Sequence, residues 1–368
     1  MKTTRFATID PQLFTDEALQ PFARMLAAGK TVAFPTETVY GLGADATNPR
    51  ALAAIFEAKG RPSDNPLIVH VAAPEDIEPL VKTVTPLARK LMAHFWPGPL
   101  TIILEKSPAV PDMVTAGLDT VALRMPAHPL ARRLIALAGV PVAAPSANQS
   151  GRPSPTRGSH VVKDLEGRVD AIIDGGPCEV GLESTVVDAT GSFPVILRPG
   201  GVTREMLLMV VDHVAVDAAL VKKDFGGGES VTAPRSPGMK YTHYAPKAPL
   251  ILARSSRPAE TTTEAAHVLI TLALRHQKAE AVMGILCTDE TAAILAEMPE
   301  TAKLPLVVKS LGSVHHPEEM AANLFLRLRE FDETPASLII TEALSDNALG
   351  FALMNRLVKA AGNQWEEA

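Results

Sequence analysis

The chain has 368 residues, 46% hydrophobic and 21% charged, with two cysteines, Cys178 and Cys287. That length predicts two domains and a core large enough to fold without disulfide or metal staples, and the cysteine count rules out a Cys-rich zinc module. Lys plus Arg is 35 and Asp plus Glu is 41, a net charge of −6; residues 247–368 carry 11 basic and 16 acidic side chains, the first 246 carry 24 and 25. This split disfavours broad coating of nucleic acid, yet it permits a local cluster of cations in the front half. Residues 1–10 have no apolar signal core, and no run approaches the roughly 18 apolar residues of a membrane span. The expectation is a cytoplasmic protein with no membrane contact, its cysteines suiting a reducing compartment.

In chain order, β-type runs fall at 31–34, 67–71, 100–104, 121–124, 140–144, 171–173, 185–187 and 195–197. Helical patterns lie between them at 50–59, 86–95 and 129–138, and Gly60 with Pro62 supplies a stop after Lys59. Residues 10–210 therefore read as one α/β domain, with mixed pairing because many connections are short. Residues 211–249 read as a linker. Its part from 224 holds Gly226–Gly228 and four prolines, but also Arg235, Ser236, Lys240, Tyr241, His243 and Tyr244. A plain spacer rarely takes two of a chain's three tyrosines. Residues 250–368 then show four βα units, with strands near 250–253, 281–286, 306–308 and 337–341 and helices near 263–276, 291–297, 317–331 and 348–361. They predict a small, mostly parallel sheet with covering helices, and Met320, Leu324, Phe325, Leu328 and Phe331 share one helical face.

Several familiar signatures fail. Gly29-Lys30-Thr31 lacks the first Walker A glycine, because position 24 is Arg24, and a strand rather than a helix follows. Gly41 and Gly43 lack the third glycine of a dinucleotide fingerprint. Ser146 is not in a nucleophile elbow. The adjacent His315 and His316 cannot share a helical face as metal ligands and suit a surface or cap role. What remains is a series of Pro-punctuated polar loops after β runs: 35–42, 59–66, 96–99, 124–126, 144–148, 183–185 and 198–200. They hold Arg61, Arg124 and Arg198, one lysine (Lys59) and several hydroxyls, with no paired carboxylates and no Ser-His-Asp set. Such an inventory suits an anionic substrate such as a nucleotide, not glycoside hydrolysis or acyl-enzyme chemistry. Three of these loops also have a plain reading: a capped turn at 35–42, helix-dipole partners at Lys59 and Arg61, a rigid turn at 96–99.

Taken in order, these residues resemble the threonylcarbamoyl-AMP synthase family in its long two-domain form. The likeness runs through Phe-Pro-Thr-Glu-Thr-Val-Tyr-Gly-Leu-Gly at 34–43, Lys-Gly-Arg-Pro-Ser-Asp-Asn-Pro-Leu at 59–67 and Pro-Ser-Ala-Asn at 145–148. It continues through Glu-Ser-Thr-Val-Val-Asp at 183–188, Arg-Pro-Gly at 198–200 and the linker run Ser-Pro-Gly-Met-Lys-Tyr-Thr-His-Tyr-Ala-Pro at 236–246. It covers residues 10–246 specifically and the tail loosely.

The resemblance implies a YrdC-like twisted open mixed sheet with a concave, positively charged cavity, followed by a smaller Rossmann-like βα domain. It implies a nucleotidyltransferase that joins L-threonine, bicarbonate or CO₂, and ATP into threonylcarbamoyl-AMP with release of pyrophosphate, for threonylcarbamoyladenosine formation in tRNA. Lys59 and Arg61 are the expected catalytic pair in the bicarbonate and phosphate region. Thr38, His70, Arg124, Ala144 and Ser184 would surround threonine, and Arg61, Asn65, Thr120, Ser146, Ser154 and Arg198 would contact ATP. Mg²⁺ would accompany the triphosphate, held mainly by phosphate oxygens and water rather than by protein side chains. Lys240, Tyr241, His243 and Tyr244 are expected to act as a lid. The implied partners are the three substrates, a downstream threonylcarbamoyl transferase and at most a weak tRNA contact. Direct RNA binding in the cavity, and a tail that regulates or docks a partner, are the competing readings.

Overall fold

The computed structural model describes residues 2–222, 243–254, 261–278 and 280–368. They fall into two units, residues 2–150 with 154–222, and residues 151–153 with 243–254, 261–278 and 280–368. In unit 1 the strands are β1 (Arg5–Thr8), β2 (Val32–Phe34), β3 (Gly41–Asp45), β4 (Ile68–His70), β5 (Leu100–Glu105), β6 (Thr120–Arg124), β7 (Val142–Ala143), β8 (Ala171–Asp174), β9 (Thr185–Asp188), β10 (Val195–Arg198) and β11 (Ala215–Val216). The helices are α1 (Asp16–Ala27), α2 (Pro49–Lys59), α3 (Pro86–Phe95), α4 (Asp112–Thr115), α5 (Pro129–Ala138), α6 (Gly158–Leu165), α7 (Arg204–Leu208) and α8 (Ala218–Lys222). One sheet runs in the order β1-β8-β2-β3-β7-β4-β6-β5-β9-β10-β11. Pairing is mixed as expected: β4 and β6 are parallel, for example, whereas β3, β7 and β4 pair antiparallel in turn.

The structure corrects the sequence reading in places. The 35–42 segment was expected as a loop, yet its last two residues open β3, in the interior of the sheet. The glycines of this strand admit close neighbours. A Cβ on Gly43 would lie 2.6 Å from the Phe34 ring and 2.7 Å from the Val142 side chain. Helix α1 was not expected, because Pro21 interrupts its pattern. Leu19, Phe22 and Leu26 are each buried in the core against Leu130, Leu134 and Ile135 of α5. That burial contributes roughly 1.5–3 kcal/mol per side chain, enough to outweigh the ~3 kcal/mol a helix-interior proline costs. The run at 140–144 contracts to the two residues of β7.

Unit 2 holds β12 (Leu250–Arg254), α9 (Thr262–His276), β13 (Val282–Cys287), α10 (Asp289–Glu297), β14 (Leu306–Ser310), α11 (Pro317–Phe331), β15 (Ala336–Thr341), α12 (Leu349–Ala360) and β16 (Trp365–Glu367). The sheet order is β14-β13-β15-β12-β16 and every pair is parallel. The expected apolar face of α11 is buried along its length. Strand β16 carries no strand signal in its sequence, since its composition, Trp-Glu-Glu, is atypical. Side chains hold it: Arg254 stands 4.8 Å over the Trp365 ring, and His276 Nε2 meets Glu366 Oε2 at 2.5 Å. Gly151–Pro153 joins this unit through two bonds. Ala245 N–H donates to Gly151 O at 2.9 Å, and Arg329 Nη2 donates to Pro153 O at 2.6 Å.

Candidate active site

Helix α2 delivers the first cation. Asn48 caps its start by accepting from the N–H groups of Arg50 and Ala51, and Gly60, at φ 60°, ends it. Ala51, Leu52, Ile55 and Phe56 bury one face, which carries Lys59, the last residue, inward to 3% exposure. Lys59 Nζ donates to Ser146 O at 2.5 Å and Asn148 O at 2.6 Å. The 145–148 turn is itself fixed to the 40–42 segment, with Leu42 N–H on Pro145 O and Ala147 N–H on Tyr40 O, both at 2.8 Å. The ammonium thus ties two of the motif loops together. Sequence spacing alone did not reveal Asn148 as its partner.

Strands β4 and β6 form the axis of the site. Their parallel register sets His70 beside Arg124, so two expected threonine-site residues meet at one end, and Ala144 N–H donates to Ile68 O at 2.9 Å, two residues back along β4. At the other end Arg61 Nη2 donates to Asn65 O at 3.3 Å and Pro66 O at 3.1 Å. Thr120 opens β6 there, four residues from Arg124, or about 13 Å along the strand. Thr120 and Arg124 therefore do not share one locus. Arg124 donates through Nε to Gly98 O at 3.3 Å and through Nη2 to Glu37 Oε1 at 2.7 Å. Glu37 was visible in the 34–43 motif, but nothing in the sequence paired it with Arg124. Next to it, the Thr38 and Thr36 hydroxyls share a 2.8 Å hydrogen bond.

A third group gathers at β9 and β10. Arg198 donates to Ser184 O at 2.9 Å and to Ser184 Oγ at 3.1 Å, and Ser184 Oγ also bonds Thr101 Oγ1 at 2.7 Å. Ser154 Oγ donates to Glu183 Oε1 at 2.6 Å. Thr101 and Glu183 are additions to the expected set; Thr101 lies inside an apolar strand and gave no signal.

Burial shapes the electrostatics. His70 is pushed down to about 3, first by desolvation and then by the Arg124 charge, so its ring is neutral at any physiological pH. Burial likewise lowers His128. Buried atoms without a hydrogen-bond partner include Glu37 Oε2, both amide atoms of Asn65, and Nδ1 of His70 and His128. Buried polar atoms are otherwise almost always bonded, so orphans at both ends of the β4–β6 pair mark places that a ligand's polar groups can fill. Among the described residues no group of three or more His, Cys, Asp or Glu could hold a metal ion. Of the expected lid, Lys240 and Tyr241 lie outside the described residues. Tyr244 packs within unit 2, 5.0 Å from the Phe325 ring and 5.9 Å from the Arg356 guanidinium, with His243 at 5.6 Å.

Fold and site together define a mixed-sheet α/β domain with a buried, cation-rich polar centre, joined to a parallel βα unit. The family model described as "Telomere recombination" matches residues 24–200, and that of the threonylcarbamoyl-AMP synthase C-terminal domain matches 202–362. The threonylcarbamoyl-AMP synthase of Bacillus subtilis is 46% identical over 99% of both chains, and that of Pyrococcus abyssi is 45% identical over 92% of this chain and 93% of its own. The crystal structure of P. abyssi Sua5 complexed with L-threonine superposes with a TM-score of 0.86 at 41% identity, covering 99% of this chain and 100% of that one. The chain belongs to the threonylcarbamoyl-AMP synthase family.

Proposed function

We infer that the chain condenses L-threonine, bicarbonate or CO₂, and ATP into L-threonylcarbamoyl-AMP, releasing pyrophosphate, for threonylcarbamoyladenosine modification of tRNA. The observation that carries this reading is the β4–β6 pair. It presents Arg61, Asn65 and Thr120 at one end and His70 and Arg124 at the other, a span that suits a nucleotide and an amino acid laid toward each other. In this reading Arg124 takes the threonine carboxylate, within a wall of Thr38, His70, Ala144 and Ser184. Arg61, Asn65, Thr120, Ser146, Ser154 and Arg198 hold ATP, and Lys59 with Arg61 neutralises bicarbonate and phosphate charge. The substrates supply both nucleophiles, the amine and then the carbamate oxygen, so the protein's work is positioning and charge stabilisation. Mg²⁺ would arrive with ATP and take its ligands from phosphate oxygens and water. No helix among the described residues is long and apolar enough to cross a membrane, and both cysteines are free and buried, which suits the cytoplasm.

The test is pyrophosphate release by the purified chain with ATP and Mg²⁺. Release should need both L-threonine and bicarbonate, yield threonylcarbamoyl-AMP by mass spectrometry, fall with L-serine and stop when Mg²⁺ is chelated. Threonine-independent release would point to another nucleotide enzyme, and no release from folded protein would sink the reading.

A further inference from the structure

Glu37 is placed by its own backbone. Thr36 Oγ1 accepts from the N–H groups of Thr38 and Val39, both at 3.2 Å, and donates to Val39 O at 2.6 Å. Val180 N–H donates to Glu37 O at 2.8 Å. This closed turn after β2 directs the carboxylate inward, where its side chain is 7% exposed and its Oε1 meets Arg124. Its Oε2 is the one buried carboxylate oxygen among the described residues that lacks a hydrogen-bond partner. Arg124 spends Nε on Gly98 O and Nη2 on Glu37, and among the described residues its Nη1 bonds nothing. A buried ion pair with one acceptor and one donor left open mirrors an amino-acid zwitterion, which brings one carboxylate and one ammonium.

We propose that Glu37 is a further catalytic residue. Its Oε2 receives the threonine α-ammonium and takes a proton from it, while Arg124 Nη1 receives the α-carboxylate. This rests on the synthase reading above. The chemistry requires some such group, because an ammonium has no lone pair and cannot attack carbon. The other groups facing this point are poor candidates. His70 and His128 are both held down as bases by burial; Cys178, beside the same turn, is pushed up by burial and stays a thiol; Arg124 is a fixed cation; and Glu179 lies exposed at the rim. Written for bicarbonate, the step balances as follows. The ammonium gives one proton to Glu37 Oε2, leaving a neutral amine and a neutral acid. The amine lone pair forms the C–N bond to the bicarbonate carbon, a C–O bond breaks, and the departing hydroxide leaves as water with the second amine proton. The carbamate keeps the negative charge that bicarbonate brought, and Glu37 later returns its proton to solvent. Protonation also weakens Glu37's hold on Arg124, which frees the guanidinium to grip the substrate carboxylate as the nucleophile forms.

The experiment is the threonine- and bicarbonate-dependent pyrophosphate assay run from pH 6 to 9 on wild type, Glu37→Gln and Glu37→Asp. Thermal unfolding and binding of a non-hydrolysable ATP analogue check that each is folded. Wild type without dependent release overturns the synthase reading itself, and this inference with it. With wild type active, Glu37→Gln should lower kcat at pH 7 by roughly 10²–10⁴-fold, the usual worth of a general base. Its rate should then climb about tenfold per pH unit as free amine accumulates in solution, while wild type stays nearly flat. Glu37→Asp should lose about tenfold and keep the wild-type profile. A Glu37→Gln chain with wild-type kcat overturns the proposal, as does a loss whose pH profile parallels wild type or one confined to KM for threonine, since those mark a group that only holds Arg124. If Glu37→Gln fails to fold, Glu37→Asp decides, and an unchanged kcat there overturns it.

Discussion

Arg124 and Glu37 are costly to separate and cheap to replace together. Each is buried, and the strength of their contact at 2.7 Å reflects a shared low-dielectric setting as well as charge. Arg124→Met leaves a buried carboxylate with no counter-charge and should lower stability by about 3–5 kcal/mol, read by denaturant unfolding. The double variant Arg124→Met with Glu37→Met should recover most of that loss, since two apolar side chains of similar volume fill the space without a desolvation cost. Activity should stay absent in both. Recovery of neither stability nor fold in the double variant would mean that the pair matters to the fold for more than its charges. The neutral state of His70 belongs to the same logic: a guanidinium one strand away and complete burial both oppose a second positive charge.

At the scale of elements, β3 is the strand on which the site turns, because it follows the 35–40 segment and pairs with both β2 and β7. Gly43→Ala places a methyl within 2.7 Å of both Phe34 and Val142 and should cost ~1–3 kcal/mol or more, with activity falling as the 35–40 segment shifts. A thermal unfolding curve unchanged from wild type would show that the Phe34 ring and the Val142 branch have room to yield. This strand also shows why the sequence was only partly legible. The elements with regular periodicity, such as α2, α3, α5 and the four βα units of the tail, fell where the pattern put them. Those that depend on a neighbour did not: β3 exists because Phe34 needs a glycine opposite, α1 because α5 covers it despite Pro21, and β16 because Arg254 and His276 hold it. The site divides in the same way. Cations and hydroxyls could be picked out along the chain, whereas Glu37 on Arg124 and Thr101 on Ser184 are pairings between residues more than 80 positions apart that only folding brings together.

In the whole molecule the two units are not consecutive stretches of chain. Gly151–Pro153 belongs to unit 2, although Ser150 and Ser154 on either side belong to unit 1. Ser150 N–H donates to Lys59 O at 2.9 Å, and Ser154 Oγ holds Glu183, so the tripeptide is flanked by two site contacts. A chain ending at residue 222 deprives Gly151 O and Pro153 O of their partners, a loss of two hydrogen bonds worth roughly 0.5–1.5 kcal/mol each. Its KM for ATP should rise about tenfold, equivalent to ~1.4 kcal/mol, with threonine binding less affected. Unchanged ATP kinetics would show that the loop keeps its shape by itself. The same threading has a consequence for how the protein is made. Arg329 lies 176 positions beyond Pro153, so when a ribosome has finished the whole of unit 1 the tripeptide still lacks its anchor. Domains generally form as units, N-terminal first, during translation. Here the Pro153 carbonyl, next to Ser154, must wait for its partner until α11 has emerged, when nearly all of the chain exists.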